Sequence, residues 1–113
     1  MLHKVLDGRE VLLFGKNRPE LLVAYYDLRL GGVNISAYVY HQVDGLEVLG
    51  FDVKNFKEYA SKSDKYYIVV ADNDNYAEIR DVLIDGGYQP VKDFVHFRKM
   101  TYNKSRDDLK LEL

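Results

Sequence analysis

Between Glu10 and Glu20 the chain reads EVLLFGKNRPE, and this stretch narrows the available folds more than any other. Val11 to Phe14 is a continuous apolar run, too short for a helix and cut off by Gly15. Asn17, Pro19 and Glu20 then mark a helix start. Asn serves as N-cap, Pro sits in the first turn, and Glu three residues beyond the cap reaches back to it. Leu21, Ala24, Tyr25 and Leu28 repeat at helical spacing and form the face packed on a sheet. Gly31-Gly32 supplies a left-handed stop. A strand that is apolar on both sides and turns at once into a helix is the opening unit of a parallel α/β sheet. In such a unit the N–H groups at the helix start point at whatever anion occupies the turn.

The rest of the chain repeats that logic. Leu2 to Leu6 forms a turn of helix ended by Asp7-Gly8. Asn34 to Tyr40 (NISAYVY), rich in β-branched and aromatic residues, is the second strand. Leu46 to Leu49 supplies a short edge strand after the Asp44-Gly45 turn. Asp52 caps a short helix over Val53 to Ala60, with Val53 and Phe56 inward. Tyr66 to Ala71 (YYIVVA) is apolar throughout, as a central parallel strand requires. Asn75 and Glu78 form a second capping-box pair before Ile79, Val82 and Leu83, and Gly86-Gly87 closes that helix. Phe94 to Arg98 is a last strand. Residues 1–100 read as a single domain. Residues 101–113 are a charged extension of it, open to an edge strand, a turn of helix or fraying.

Strands alternating with helices imply a three-layer α/β domain. Right-handed crossovers with a reversal after the second strand give a mostly parallel, Rossmann-like sheet of order 3-2-1-4-5, in which strand 3 is Leu46–Leu49. Ligands of such sheets bind beyond the carboxyl ends of the two strands where the order reverses. That places Gly15, Lys16, Asn17 and Arg18 on one side of a crevice and Asp72, Asn73 and Asp74 on the other, with Tyr40 and His41 at its rim.

Composition removes several function classes. With 113 residues there is one core, and a net charge of −2 offers no electrostatic case for nucleic acid or an anionic membrane. The absence of Cys excludes disulfides, thiolate metal sites and cysteine nucleophiles. No apolar run approaches the ~18 residues of a membrane span, and the amino terminus lacks a secretory pattern, so a cytoplasmic location is expected.

VLLFG, AYVYHQ followed by GLEVLG, YYIVVADNDNYAEIRDVLIDGGY and the closing DFVHF together resemble a group of small Rossmann-like domains of bacterial surface-polysaccharide biosynthesis. These occur beside or fused to enzymes acting on nucleotide-linked sugars. The resemblance spans roughly residues 2 to 98. Such domains read FGxGxxG at the first turn and end the second strand with an acidic residue. Here the turn reads Gly15-Lys16-Asn17-Arg18-Pro19-Glu20, so only the first glycine remains. Asn17 stands where the pyrophosphate approaches the backbone, Glu20 where the helix packs close, and Tyr40 where the acidic residue holds a ribose hydroxyl. No cofactor is expected, and NAD(P) in the usual pose is not. The sequence therefore reads as a non-catalytic binding or assembly module in polysaccharide or glycan biosynthesis. The alternative is a nucleotide- or nucleotide-sugar-binding subunit of a sugar-modifying enzyme.

Other chemistry is thin. Asp72-x-Asp74 has the form of a metal-binding DxD, but Asp and Asn are also the residues that cap a following helix, and capping is the commoner use. Lys16 and Arg18 beside a helix start suit a phosphate or a solvated turn equally. His3, His41 and His96 lack zinc spacing. No catalytic residue and no metal site is assigned. Ten tyrosines exceed what one small core buries, so some belong at interfaces, and Leu22, Tyr26 and Leu30 recur at i, i+4 and i+8 as a second apolar strip. The partner expected there is a second copy or a partner enzyme.

Overall fold

The computed structural model describes residues 6–42, 47–48, 50–103 and 108–111. Strand β1 (Glu10–Phe14) leads through Gly15 into helix α1 (Arg18–Leu30), as the opening stretch predicts. Then come β2 (Ile35–Tyr40), β3 (Glu47–Val48), β4 (Phe51–Asn55), β5 (Tyr66–Val70), helix α2 (Tyr76–Asp85) and β6 (Phe94–His96). The sheet runs β3-β4-β2-β1-β5-β6. Five of its strands, β4-β2-β1-β5-β6, are parallel and form the 3-2-1-4-5 order of a Rossmann-like sheet. β3 pairs antiparallel outside β4.

The two continuously apolar runs lie side by side at the centre, with Leu12 opposite Ile68 and Phe14 opposite Val70. Apart from the half-buried Tyr66, their side chains are buried because both sheet faces are covered. The crossover from β1 to β2 runs one way along the sheet and that from β5 to β6 the other. Right-handed connections therefore put α1 and α2 on opposite faces. Leu21, Ala24 and Leu28 are the buried stripe of α1, and Ile79 and Leu83 that of α2.

The third strand differs from the expectation. Position 3 is filled by Phe51–Asn55, not by Leu46–Leu49, of which the described part, Glu47–Val48, is the antiparallel edge beyond it. The helix expected over Val53–Ala60 is instead the end of this strand and a single 3-10 turn, Phe56–Glu58. Asn55, not Asp52, caps it by accepting from the Lys57 N–H at 2.9 Å. The open edge of β2 decides the matter: pairing Val53 with Tyr38 satisfies backbone groups that a helix would leave exposed. Of the amino-terminal helix, only Leu6 lies among the described residues, and it is helical. At the carboxyl end, β7 (Met100–Asn103) and β8 (Asp108–Leu111) form an antiparallel pair apart from the main sheet, with β7 running beside α1.

The amino edge of the sheet is pinned by Arg9. Its guanidinium donates to Asp93 Oδ1 (2.7 Å) and to the carbonyls of Leu6, Ser63 and Lys92, and it lies 5.1 Å above the Tyr67 ring. Asp93 also accepts from the Gln89 N–H at 2.8 Å.

Three tyrosines, Tyr40, Tyr67 and Tyr88, are almost wholly buried. The hydroxyl of Tyr67 donates to the Val91 carbonyl and that of Tyr88 to the Tyr59 carbonyl. Burial pushes all three phenols upward, and for Tyr40, with Asp72 and Glu78 also near, up to about 12. An unfolded phenol ionises near 10, so between there and the folded value the unfolded chain releases protons that the folded chain keeps. Stability is therefore expected to be intact below pH 10 and to fall as pH rises toward 12. The last part of the phenolate absorbance, that of the buried Tyr40, Tyr67 and Tyr88, should appear together with loss of the far-ultraviolet circular dichroism rather than before it.

Candidate functional site

The crevice predicted from strand order lies where β1 and β5 end side by side. Gly15 is there for a steric reason. Its φ is +154°, and a Cβ would sit 2.9 Å from the Ala71 carbonyl oxygen and 3.0 Å from the Asp72 Cβ. The two chain turns thus leave the sheet in near contact. The Ala71 N–H donates to the Phe14 carbonyl (2.9 Å) and the Gly15 N–H to that of Val39 (3.2 Å).

Two carboxylates then lace the turns together. Asp72 is fully buried. Its Oδ2 accepts from the Lys16 N–H at 3.0 Å, and its Oδ1 accepts from the backbone N–H and the side-chain amide of Asn75 at 3.3 and 2.9 Å. From the other side, Glu20 Oε2 accepts from the Asn73 N–H at 2.8 Å. Each turn therefore sends one carboxylate across to a backbone N–H of the other.

This arrangement rewrites both capping boxes. Asn17 does cap α1, its Oδ1 accepting from the Glu20 N–H at 3.2 Å. Glu20, however, spans the crevice to Asn73. At α2, Asn75 occupies the N-cap position without a side-chain cap bond, because its amide is turned back to Asp72. Glu78 instead places Oε1 3.4 Å from His41 Nε2.

The remaining predicted residues fall into two groups. Lys16 is exposed, and its ammonium stands 5.5 Å above the Tyr40 ring. Arg18, Asn73 and Asp74 are exposed at the turn surface. Tyr40 is not a rim residue: it is buried, stacked on His41 at 4.4 Å between centroids and packed against Phe14 at 5.6 Å. His41 lies beside the same Phe14 ring, and both of its ring nitrogens are shielded from solvent without hydrogen-bond partners. The contact with Glu78 has ion-pair distance but not hydrogen-bond geometry. The strand-order argument thus brings Gly15, Lys16, Asn17, Asp72 and Asn73 together. The cross-crevice role of Glu20 and the approach of Glu78 to His41 lack any signal in local spacing.

Chemically, the laced turns present few free groups. Both oxygens of Asp72 accept from N–H donors, the role of a carboxylate that caps and ties turns. Among the described residues, no group of three or more His, Asp or Glu side chains is placed to hold a metal ion. A pocket of about 610 Å³ lies at the opposite, amino edge of the sheet, lined by Asp7, Asp64 and Lys92 as well as by the paired Arg9 and Asp93. A smaller one, about 280 Å³, runs from His41 past Phe56 to Gly86 under α2. No helix among the described residues is long and apolar enough to cross a membrane. Compared with known proteins, the chain matches no family model, no curated protein and no solved structure.

Proposed function

We propose that this chain is a non-catalytic Rossmann-like module that works by binding or assembling another protein. The setting to which its sequence resemblance points is glycan biosynthesis. One observation carries the reading: the Glu20 carboxylate lies across the switch-point crevice on the Asn73 N–H. A dinucleotide uses this space by bringing its pyrophosphate to the helix start, where backbone N–H groups and the helix dipole favour an anion. Here the protein supplies its own anion. The Glu20 N–H is taken by Asn17 and the Lys16 N–H by Asp72. An incoming phosphate would have to displace carboxylates held by charge-assisted hydrogen bonds and would meet their repulsion.

Calorimetric titration with NAD(P) and with sugar nucleotides, with and without Mg²⁺, tests the reading. No saturable heat is expected at millimolar ligand. Saturable binding by the unmodified protein would overturn it in favour of a nucleotide-sugar-binding subunit.

A further inference from the structure

Where β2 ends, the His41 ring is shut in, with both nitrogens shielded from solvent and neither in a hydrogen bond. Tyr40 stacks on it at 4.4 Å and Phe14 lies beside it at 5.9 Å, contacts that hold the ring without engaging its nitrogens. A neutral imidazole keeps one N–H donor and one acceptor. Leaving both unpaired away from water is unfavourable. The neutral ring is therefore poorly served by its surroundings.

A carboxylate stands ready for the charged ring. Glu78 Oε1 is 3.4 Å from Nε2, and the Glu78 side chain is 56% exposed where that of His41 is only 13% exposed. One partner is fixed and the other is free to move in. With both ring nitrogens protonated, an approach of a few tenths of an ångström closes a charge-assisted hydrogen bond. The other described charged groups nearby have mixed signs. Asp85 of α2 and Lys57 of the 3-10 turn line the small pocket with His41. Asp72 and Lys16, from the two crevice turns, act on the Tyr40 ring that His41 stacks on. Burial and the two lysines oppose a charge on the ring, and the two aspartates support it. Glu78, the nearest, stabilises the fold through His41 only when that ring is charged.

We propose that His41 and Glu78 form a proton-operated clasp, open when His41 is neutral and closed when it is protonated. Its position gives the clasp a reach beyond one contact. β2 lies on one side of β1 in the sheet, and α2 follows β5 on the other. Closing it ties the carboxyl end of β2 to the first turn of α2 across the end of β1, beside the laced crevice.

Urea unfolding of the unmodified protein and of Glu78→Gln, at about pH 8 and about pH 5.5, tests it. An imidazole ordinarily gains its proton near pH 6.5 and a carboxylate near 4, so the ring changes charge between the two conditions and Glu78 does not. Whatever Glu78 gives the start of α2 is then the same at both, and every other titrating group is common to the two proteins. The loss caused by Glu78→Gln, read as a fall in the folding equilibrium constant, is expected to be roughly two- to fivefold greater at the lower pH. His41→Phe keeps a ring against Tyr40 and Phe14 but has nothing to protonate, so in that background the extra loss should vanish. Should His41→Phe not fold, the carbon-bound ring protons of His41 in the unmodified protein give the same information: their NMR shifts should change over the pH range in which the extra loss develops. A loss equal at both pH values or smaller at the lower one, an extra loss that survives His41→Phe, or ring shifts that do not follow it, overturns the proposal.

Discussion

Arg9→Ala is expected to remove about 3–5 kcal/mol of folding stability, because it strands a buried carboxylate. Asp93 has a side chain only 6% exposed, and Arg9 is its cationic partner at 2.7 Å. The same guanidinium joins the Leu6, Ser63 and Lys92 carbonyls; its loss takes that donor from Ser63 and Lys92 and the cover from the Tyr67 ring, while the Leu6 carbonyl keeps the backbone N–H of residue 9. A domain of this size holds only about 5–15 kcal/mol in total. The variant should therefore unfold at a much lower urea concentration. The charge explanation makes a further demand: Asp93→Asn in the Arg9→Ala background, which removes the charge but keeps an oxygen for the Gln89 N–H, should restore part of the loss. A double variant no more stable than Arg9→Ala alone would assign the effect to packing instead.

The second large effect is expected at Gly15. Gly15→Ala should cost about 2–4 kcal/mol, adding overpacking to an unfavourable φ. The new methyl would meet the backbone of Ala71, which cannot swing aside as a side-chain tip can. The end of β5 must then retreat, and the Lys16–Asp72 bond goes with it. Gly32→Ala separates the two causes: its φ is +77°, yet nothing lies within 4 Å of the added methyl. It should cost only about 1–2 kcal/mol from backbone strain. Equal losses in urea unfolding would show that the close approach of the two turns contributes nothing.

How far the sequence speaks depends on whether the deciding partner is local. Val11–Phe14 and Tyr66–Val70 are legible as central strands because burial on both faces demands an unbroken apolar run. The Asn17 cap is legible because its acceptor and donor sit three residues apart. Glu20 is not, since its partner is 53 residues away on the neighbouring strand's turn. Val53, Phe56 and Ala60 have spacing that suits a helix, and only the unpaired edge of β2 makes the first of them strand. Arg9 and Asp93, 84 residues apart, leave no periodic trace at all. Strand order says which two turns meet, but it could not say that they are laced by the chain's own carboxylates.

The lacing can be read amide by amide. If Asp72 and Glu20 hold the two turns together, the Lys16 and Asn73 N–H groups are bonded in the free protein and have nothing to gain from a nucleotide. Nitrogen-15 NMR should then find both amides protected from hydrogen exchange, although Lys16 and Asn73 are surface residues. Adding NAD(P) to millimolar concentration should leave their resonances, and those of Gly15 to Arg18, where they were. Rapid exchange at Lys16 and Asn73, or saturable shifts confined to these residues on titration, would contradict the account.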